Sequence, residues 1–543
     1  LLNKIVRLYN TVKYLKFKQI YWRIIYLLPR LITQQKKCSN TQINKRKILF
    51  IPRDGITADY QSFIFLSELN NIVEAGWDNP SISKLWRYNL HYFEYLLQNN
   101  SNEKHLVSQT QIIENWIDNN HFGRGTGWEP YPTSLRIINW TKWHWKTNLL
   151  SERGKLSLWN QVRHLESRPE YHLLGNHLFI NAKALLYACA FFKLNEETRI
   201  YKTAISIIIE EINEQFLEDG AHFELSPMYH SLAMEDLLDL ISISDQLPFN
   251  FPKEVIKEKF QKGMQWLQTM IYNNEELAHF NDCANGIAPK FSKLVNYASE
   301  LGIVVLNLSV PKFSYHKSSG FVVFKDNSSH LIADIGKIGP DYLPGHAHAD
   351  TLSFELAIKG HRVIVNSGTS VYGSSTERLR QRGTSAHSTV QIDNKDSSEV
   401  WSGFRVANRA FPFDINVNFS TDGFVSFSAS HDGYKRILTC PIHKREFVYS
   451  NSSWQINDQI SGSGNHVVSR YFIHPDIDIT KAEQEFLLSK DGEPIVKLSF
   501  ELPHDAVICE STYNDKFGSS INNKYIQITG KSPQNIKAKF QII

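Results

Sequence analysis

The chain has 543 residues, 42% of them hydrophobic and 21% charged, with a formal net charge of +4. That length exceeds what one ordinary core accommodates, so two or three domains are expected, and so small a charge excludes the polyanion-coating surface of a general nucleic-acid binder. The five cysteines (Cys38, Cys189, Cys283, Cys440, Cys509) are scattered, odd in number and without CxxC spacing, which argues against both a disulfide scaffold and a zinc knuckle.

No apolar run reaches the length needed to span a bilayer. The N-terminal stretch through Tyr14–Arg23 mixes basic and apolar residues and does not read as a signal peptide. It reads as an amphipathic helix within an extension (1–80) packed on the main body; a membrane-surface role is the alternative. The first residue is not Met, so an export signal upstream would make the protein periplasmic or secreted. From about Ile82 to Gly302 apolar residues recur at three-to-four spacing, in Leu85–Leu97, Ser134–Trp145, Leu178–Phe192, Ile200–Phe216, Met228–Leu247 and Val255–Ile271. Ser226 before Pro227, and Asn176 after Gly175, read as helix caps. Helix openings 45 to 50 residues apart (near 131, 175 and 226) give about one helical hairpin each, and stacked hairpins curl into a solenoid or closed toroid over 81–310.

Beyond about Pro311 the period becomes two. Gly320–Lys325, His330–Asp334, Leu352–Ile358, Arg362–Val365, Thr389–Ile392, Phe424–Ala429, Tyr525–Thr529 and Lys537–Ile542 are short β-branched or aromatic runs bounded by turn residues. Many short strands without intervening helices indicate an antiparallel sandwich over 311–543. No low-complexity linker separates the halves, so they are expected to share a cleft.

The tract Leu343-Pro-Gly-His346-Ala-His348-Ala-Asp350-Thr351 sets two imidazoles and a carboxylate at every second position. On an extended backbone they share one side, and such groups are costly to bury without purpose. A metal site or an anion-binding, proton-abstracting pocket would use them. For a metal, His387 opens a strand and Asn366 closes one; imidazoles favour zinc. HxHxD also occurs in metallo-β-lactamase-type hydrolases, but those usually continue with another His where this chain has Thr351. Taken singly, Asn176 reads as a cap, and His177 and Tyr229 as packing residues.

Several motifs occur together and in order: Trp86-Arg-Tyr-Asn-Leu-His-Tyr92, Trp128-Glu-Pro-Tyr131-Pro-Thr-Ser-Leu-Arg136, Gly175-Asn-His-Leu178, Glu224-Leu-Ser-Pro-Met-Tyr229-His230, Gly345–Asp350, Asn366-Ser-Gly-Thr369 and Arg382–Val390. In this combination the chain resembles the heparinase II/III-like polysaccharide lyases over roughly Trp77 to Arg409. The resemblance implies an N-terminal (α/α) toroid joined to a C-terminal antiparallel β-sandwich, with the active site between them. It implies β-elimination on an acidic, uronate-containing polysaccharide as substrate and partner, in a bacterial setting such as capsule or exopolysaccharide turnover. By position, Asn176, His177, Tyr229 and His346 match the catalytic set. His348, Asn366 and His387 match a structural divalent-metal site, usually zinc, where relatives commonly carry Asp at the position of Asn366.

Elimination removes the proton beside a uronate carboxylate and expels the glycosidic oxygen. An amide (Asn176) and imidazoles (His177 or His346) on that carboxylate spread the developing charge, each preorganised donor being worth roughly 3–4 kcal/mol. Tyr229, with an ordinary pKa of about 10 that cations would lower, can act as base, acid or both; otherwise a His is the base. Trp128 and Tyr131 are candidates for stacking on sugars. Arg136 is a candidate for pairing an anion bidentately, and Arg378, Arg380 and Arg382 for a local anion site. Two other readings remain open here. A glycoside hydrolase would need opposed carboxylates from among Glu129, Asp219 and Glu224; a non-catalytic glycan-binding or polymer-assembly protein would bind sugar without forming unsaturated uronate.

Overall fold

The structure, a computed structural model, describes residues 2–28, 33–36, 48–53, 55–99, 102–306, 309–420, 424–483, 485–501 and 505–543; Cys38 lies outside them. Helices fill the first half: α1 (Leu2–Val12), α2 (Phe17–Ile25), the single turn α3 (Ile72–Ala75), α4 (Lys84–Tyr92), α5 (Glu103–Asn119), α6 (Pro130–Thr147), α7 (Glu152–Ser167), α8 (Gly175–Phe192), α9 (Arg199–Gln215), α10 (Pro227–Ile243), α11 (Lys253–Thr269) and α12 (Phe291–Glu300). They alternate in character. Helix α8 is buried without a break from Leu178 to Phe192, whereas α5 buries only Gln109, Ile112, Ile113 and Trp116. A helix apolar all round belongs inside and a one-sided helix outside, so α6, α8 and α10 form the inner layer of an (α/α) toroid and α5, α7, α9 and α11 the outer. The periodic runs seen in the sequence fall on these helices. Leu85–Leu97 is interrupted, however: Phe93 takes a left-handed conformation (φ 62°), and a 3-10 turn, Glu94–Leu97, follows.

The second half is two antiparallel sheets of eight and nine strands whose inner faces enclose one core, with Phe354, Phe447, Trp454, Tyr471 and Phe540 among its members. In the nine-stranded sheet Phe321–Lys325, Ser329–Asp334, Phe354–Ile358 and His361–Ile364 are neighbours. Every residue of Phe354–Ile358 is buried because the outer face is covered too: Trp266 and Phe280 of the helical half pack on Phe321, Val323 and Ile332. A strand buried on both faces is apolar at most positions, and the exception here, Glu355, is paired with Arg362 and accepts from the Tyr272 hydroxyl.

Three long excursions leave this sheet toward the toroid: 335–353, 365–389 and 393–411. The middle one carries α13 (Thr376–Arg382), and the last a small hairpin, Val400–Trp401 with Arg405–Val406. Loops this long inside a compact domain are commonly where function sits.

The N-terminal helices pack on more than the toroid. Lys16 and Lys18 pair with Glu214 and Glu210 of α9, whereas Arg7 pairs with Glu399, Thr11 accepts from the Trp401 indole, and the Arg409 guanidinium lies 3.7 Å from the Tyr14 ring centroid. The segment therefore straps the two halves together. Among the described residues no helix is long and apolar enough to cross a membrane.

Candidate functional site

A cavity of about 850 Å³ opens where the toroid, the excursions and the N-terminal strap meet. Asn176, His177, Tyr229 and His346 all line it, with Tyr131, Glu224, Tyr372 and Phe404. The chain brings them together by the ends of its inner helices. Ser226 caps α10 by accepting from the Tyr229 N–H (3.3 Å) and donates its own hydroxyl to the Asp282 carbonyl (2.6 Å), so one residue sets both the Tyr229 turn and the Asp282 loop. Asn176 is not the cap of α8. Leu174 occupies that position in a left-handed conformation (φ 67°), leaving Asn176 inside the first turn with its amide lining the cavity and hydrogen-bonded to the Tyr131 hydroxyl. Gly175 adopts φ +57° there, a conformation that strains residues bearing a Cβ, and such a Cβ would lie 2.3 Å from Leu343 Cδ2 unless that side chain moved.

The HxHxD tract forms turns rather than a strand, so the period-two expectation fails, yet both imidazoles still reach one carboxylate. His346 Nδ1 lies 2.9 Å from Asp282 Oδ2, and His348 Nε2 lies 2.8 Å from Oδ1. Asp350 turns away, and burial pushes its carboxyl up to about 6. Asp282 is fully buried and receives the Arg378 guanidinium on both oxygens, the Nη2–Oδ2 distance being 2.6 Å. Although burial opposes ionisation, the Arg378 charge and the donated bonds hold Asp282 well below the usual carboxylate range. With Asp282 accepting from Nδ1–H of His346, the lone pair of that ring is left on Nε2.

The Tyr229 and His346 rings lie 4.0 Å apart, and the Tyr229 hydroxyl is 2.8 Å from that of Tyr372. Burial, together with Tyr372 and the nearby Asp282 charge, pushes the Tyr229 phenol well above its ordinary value, opposite to the lowering expected from cations. The resting residue is a neutral proton donor. At the other wall His177, whose side chain is 38% exposed, lies 4.5 Å from the Tyr131 ring and bonds Glu170 (Nδ1–Oε1 3.1 Å). Burial works against its protonation, but the Glu170 carboxylate outweighs that and raises the imidazole above 6.5. Glu224 is buried, which raises its carboxyl toward the neutral form despite His346 and His177 nearby.

Other expected residues lie elsewhere. Trp128 is core, packed on Trp116 and Phe122. Arg136 is fully buried, bonded to Gln161 and the His91 carbonyl and stacked 3.9 Å from the Trp116 centroid. Arg382 is likewise buried and donates to the Ala347 and Pro344 carbonyls, fixing the His346 loop from behind. With Arg378 on Asp282 and Arg380 on Glu377, the three arginines are structural and form no anion site. Of the six expected substrate contacts, only Tyr131 lines the cavity. The hydrolase carboxylates also separate: Glu129 pairs with Lys84 and Tyr88, Asp219 caps Ser319, and only Glu224 lines the cavity. Asp282, Glu170 and Tyr372 carried no periodic or spacing signal, because each lies in an irregular stretch.

Behind His346, the His348 and His387 ring centroids are 5.2 Å apart, and neither ring nitrogen of His387 nor Nδ1 of His348 makes a hydrogen bond. Burial depresses both imidazoles, His348 to about 4, so both are in the neutral form that ligates metals. Asn366 accepts from the Ser388 N–H (3.3 Å) and offers a neutral oxygen. Among the described residues no three His, Cys, Asp or Glu converge on one point, so a cation here would draw its third protein donor from an amide.

Comparison with known proteins gives matches to two family descriptions: heparinase II/III N-terminus over residues 152–301, and heparinase II/III-like, C-terminal, over 310–540. A heparin-sulfate lyase of Bacteroides stercoris is 25% identical over 339 residues, covering 58% of this chain and 48% of that protein. One of Pedobacter heparinus is 26% identical over 247 residues, covering 41% and 36%. The chain thus spans about half or less of the length of these curated relatives. A solved heparinase III structure superposes with a TM-score of 0.69 over 97% of this chain and 88% of that one at 15% identity, a likeness of fold.

Proposed function

The chain belongs to the heparinase II/III-like family, and from that premise we propose that it is a polysaccharide lyase cleaving an acidic, uronate-containing polysaccharide by β-elimination. The observation that carries this reading is the convergence of Asn176, His177, Tyr229 and His346 on one cavity between the halves. The Asn176 amide and the His177 imidazolium bind the uronate carboxylate and take up the charge that develops as the neighbouring C–H ionises. His346 Nε2, held as the lone-pair nitrogen by Asp282, accepts that proton. The neutral Tyr229 phenol gives its proton to the departing glycosidic oxygen. The pair of electrons from the C–H bond becomes the new C=C bond as the C–O bond breaks, so no external oxidant or nucleophile is required.

Curated relatives are named as heparin-sulfate lyases, which puts sulfated glycosaminoglycans first in a substrate panel; alginate-like polymers and a bacterium's own exopolysaccharide follow. His348, His387 and the Asn366 amide would hold one divalent cation, zinc by ligand type. Its role would be to brace the His346 loop, and no step of the elimination passes through it. Tyr229→Phe tests the assignment: turnover is abolished while the polysaccharide still binds. A Phe variant that retains turnover removes Tyr229 from the chemistry.

A further inference from the structure

Five lysine and arginine side chains line the cavity: Arg23, Arg53, Lys142, Lys183 and Arg405. Three are neutralised within the protein. Arg53 pairs with Glu94 and Glu235, Lys142 with Asp239, and Lys183 with Asp236 and Asp239. Arg23 and Arg405 differ: both are exposed, and among the described residues neither has a carboxylate within ion-pair distance. They come from remote parts of the chain, Arg23 from α2 and Arg405 from the 400–406 hairpin, where it lies 5.0 Å from the Trp401 ring centroid. Partial burial and the Arg405 charge together lower the Arg23 guanidinium from its ordinary value.

Their placement is built rather than incidental. Gln19, one turn before Arg23, is 1% exposed and donates to the Leu173 and Tyr342 carbonyls, 3.2 and 3.4 Å away. Those carbonyls immediately precede the Asn176–His177 turn and the His346 loop. Trp22 stacks on Tyr171 with ring centroids 4.8 Å apart. The strap thus sets Arg23 in the cavity wall against both sides of the reaction centre. Two like charges held together without a counter-ion lose free energy that an anion between them restores, and guanidinium forks suit carboxylate and sulfate oxygens.

We propose that Arg23 and Arg405 form an anion subsite in the cleft wall, taking a carboxylate or sulfate of the polymer on a sugar other than the one that loses its proton. The subsite rests on the acidic-polysaccharide reading above. It makes the N-terminal strap, which lies outside both matched family regions, part of substrate recognition.

The test uses Arg23→Gln, Arg405→Gln and the double variant of the full chain, with heparan sulfate as the sulfated probe and an unsulfated polyuronate as the carboxylate-only probe. Steady-state kinetics are paired with equilibrium binding in a Tyr229→Phe background, which separates recognition from turnover. Each single variant raises KM and Kd up to about fivefold, and the double roughly tenfold or more, because an exposed ion pair contributes at most on the order of 1 kcal/mol. The effect falls mainly on KM rather than kcat, and the salt dependence of binding becomes shallower. A loss confined to the sulfated probe identifies the group as sulfate; a loss on both identifies a carboxylate. Unchanged KM, Kd and salt dependence on both probes overturn the subsite. If the unmodified enzyme forms no unsaturated product, the lyase reading fails, but the Kd comparison still decides the subsite.

Discussion

Asp282→Asn is the substitution that most sharply tests how the site is held together. Asp282 and Arg378 have no exposed side-chain surface, and the guanidinium bonds both carboxylate oxygens. An Asn amide keeps one acceptor but turns an N–H₂ toward groups that are themselves donors: the Arg378 fork, His346 Nδ1 and His348 Nε2. Breaking a buried pair by removing one partner strands the other charge, at about 3–5 kcal/mol. Arg378→Met likewise leaves the buried Asp282 carboxylate without its counter-ion, at a similar cost of about 3–5 kcal/mol, since the two imidazole N–H donors that remain carry no compensating charge. Asp282→Asn/Arg378→Met removes the stranded charge, and the double variant is more stable than the sum of the singles predicts by about 1–3 kcal/mol. Urea unfolding followed by tryptophan fluorescence and, separately, by far-ultraviolet circular dichroism measures all three. Additive losses, or an Asp282→Asn variant within about 0.5 kcal/mol of the parent (the range of an ordinary surface change), would refute the argument.

Further outcomes follow from the same geometry. Glu170→Gln removes the carboxylate that raises His177, so the alkaline limb of the activity profile, where the imidazolium is lost, moves to lower pH; an unmoved limb would detach His177 from carboxylate binding. The Glu170–His177 pair stabilises the fold fully below 6.5, the ordinary imidazole value, and that increment is lost as pH climbs through the raised His177 value. At the acid end the depressed Glu170 carboxyl contributes above its ordinary value and is lost as pH falls through the depressed one. Tyr372→Phe removes the hydroxyl bonded to Tyr229 and lowers kcat more than it raises KM; equal effects on both would make Tyr372 a binding residue. His387→Ala lowers bound divalent metal, read by elemental analysis of purified protein, together with melting temperature. A parent protein with no metal would discard the assignment of His348, Asn366 and His387.

Much of this was legible in the chain because two kinds of order are written locally. The 3.6 periodicity of runs such as Ile200–Phe216 and the period-two and apolar runs after Phe321 depend on neighbours in sequence, and they locate the helical ring and the sandwich. Asn176, His177, Tyr229 and His346 were found by the motifs around them. What was not legible is long-range. Arg136 and Arg382 look like anion readers until the fold shows their charges spent on Gln161 and on backbone carbonyls. Trp128 looks like a sugar platform until it is seen within an aromatic core. Asp282 has no local mark, yet residues distant in sequence, His346, His348 and Arg378, converge on it. The strap is the extreme case, since a basic amphipathic segment does not reveal which two surfaces it will join.

The most direct measurement is product analysis after incubation with a panel of acidic polysaccharides, using ultraviolet absorbance and NMR of the newly formed chain ends. If the four cavity side chains act as proposed, they leave a carbon–carbon double bond conjugated to the uronate carboxylate, with one such end per scission and none from Tyr229→Phe. Shortened chains bearing only saturated ends would mean that water, not the abstraction of a carbon-bound proton, breaks this linkage.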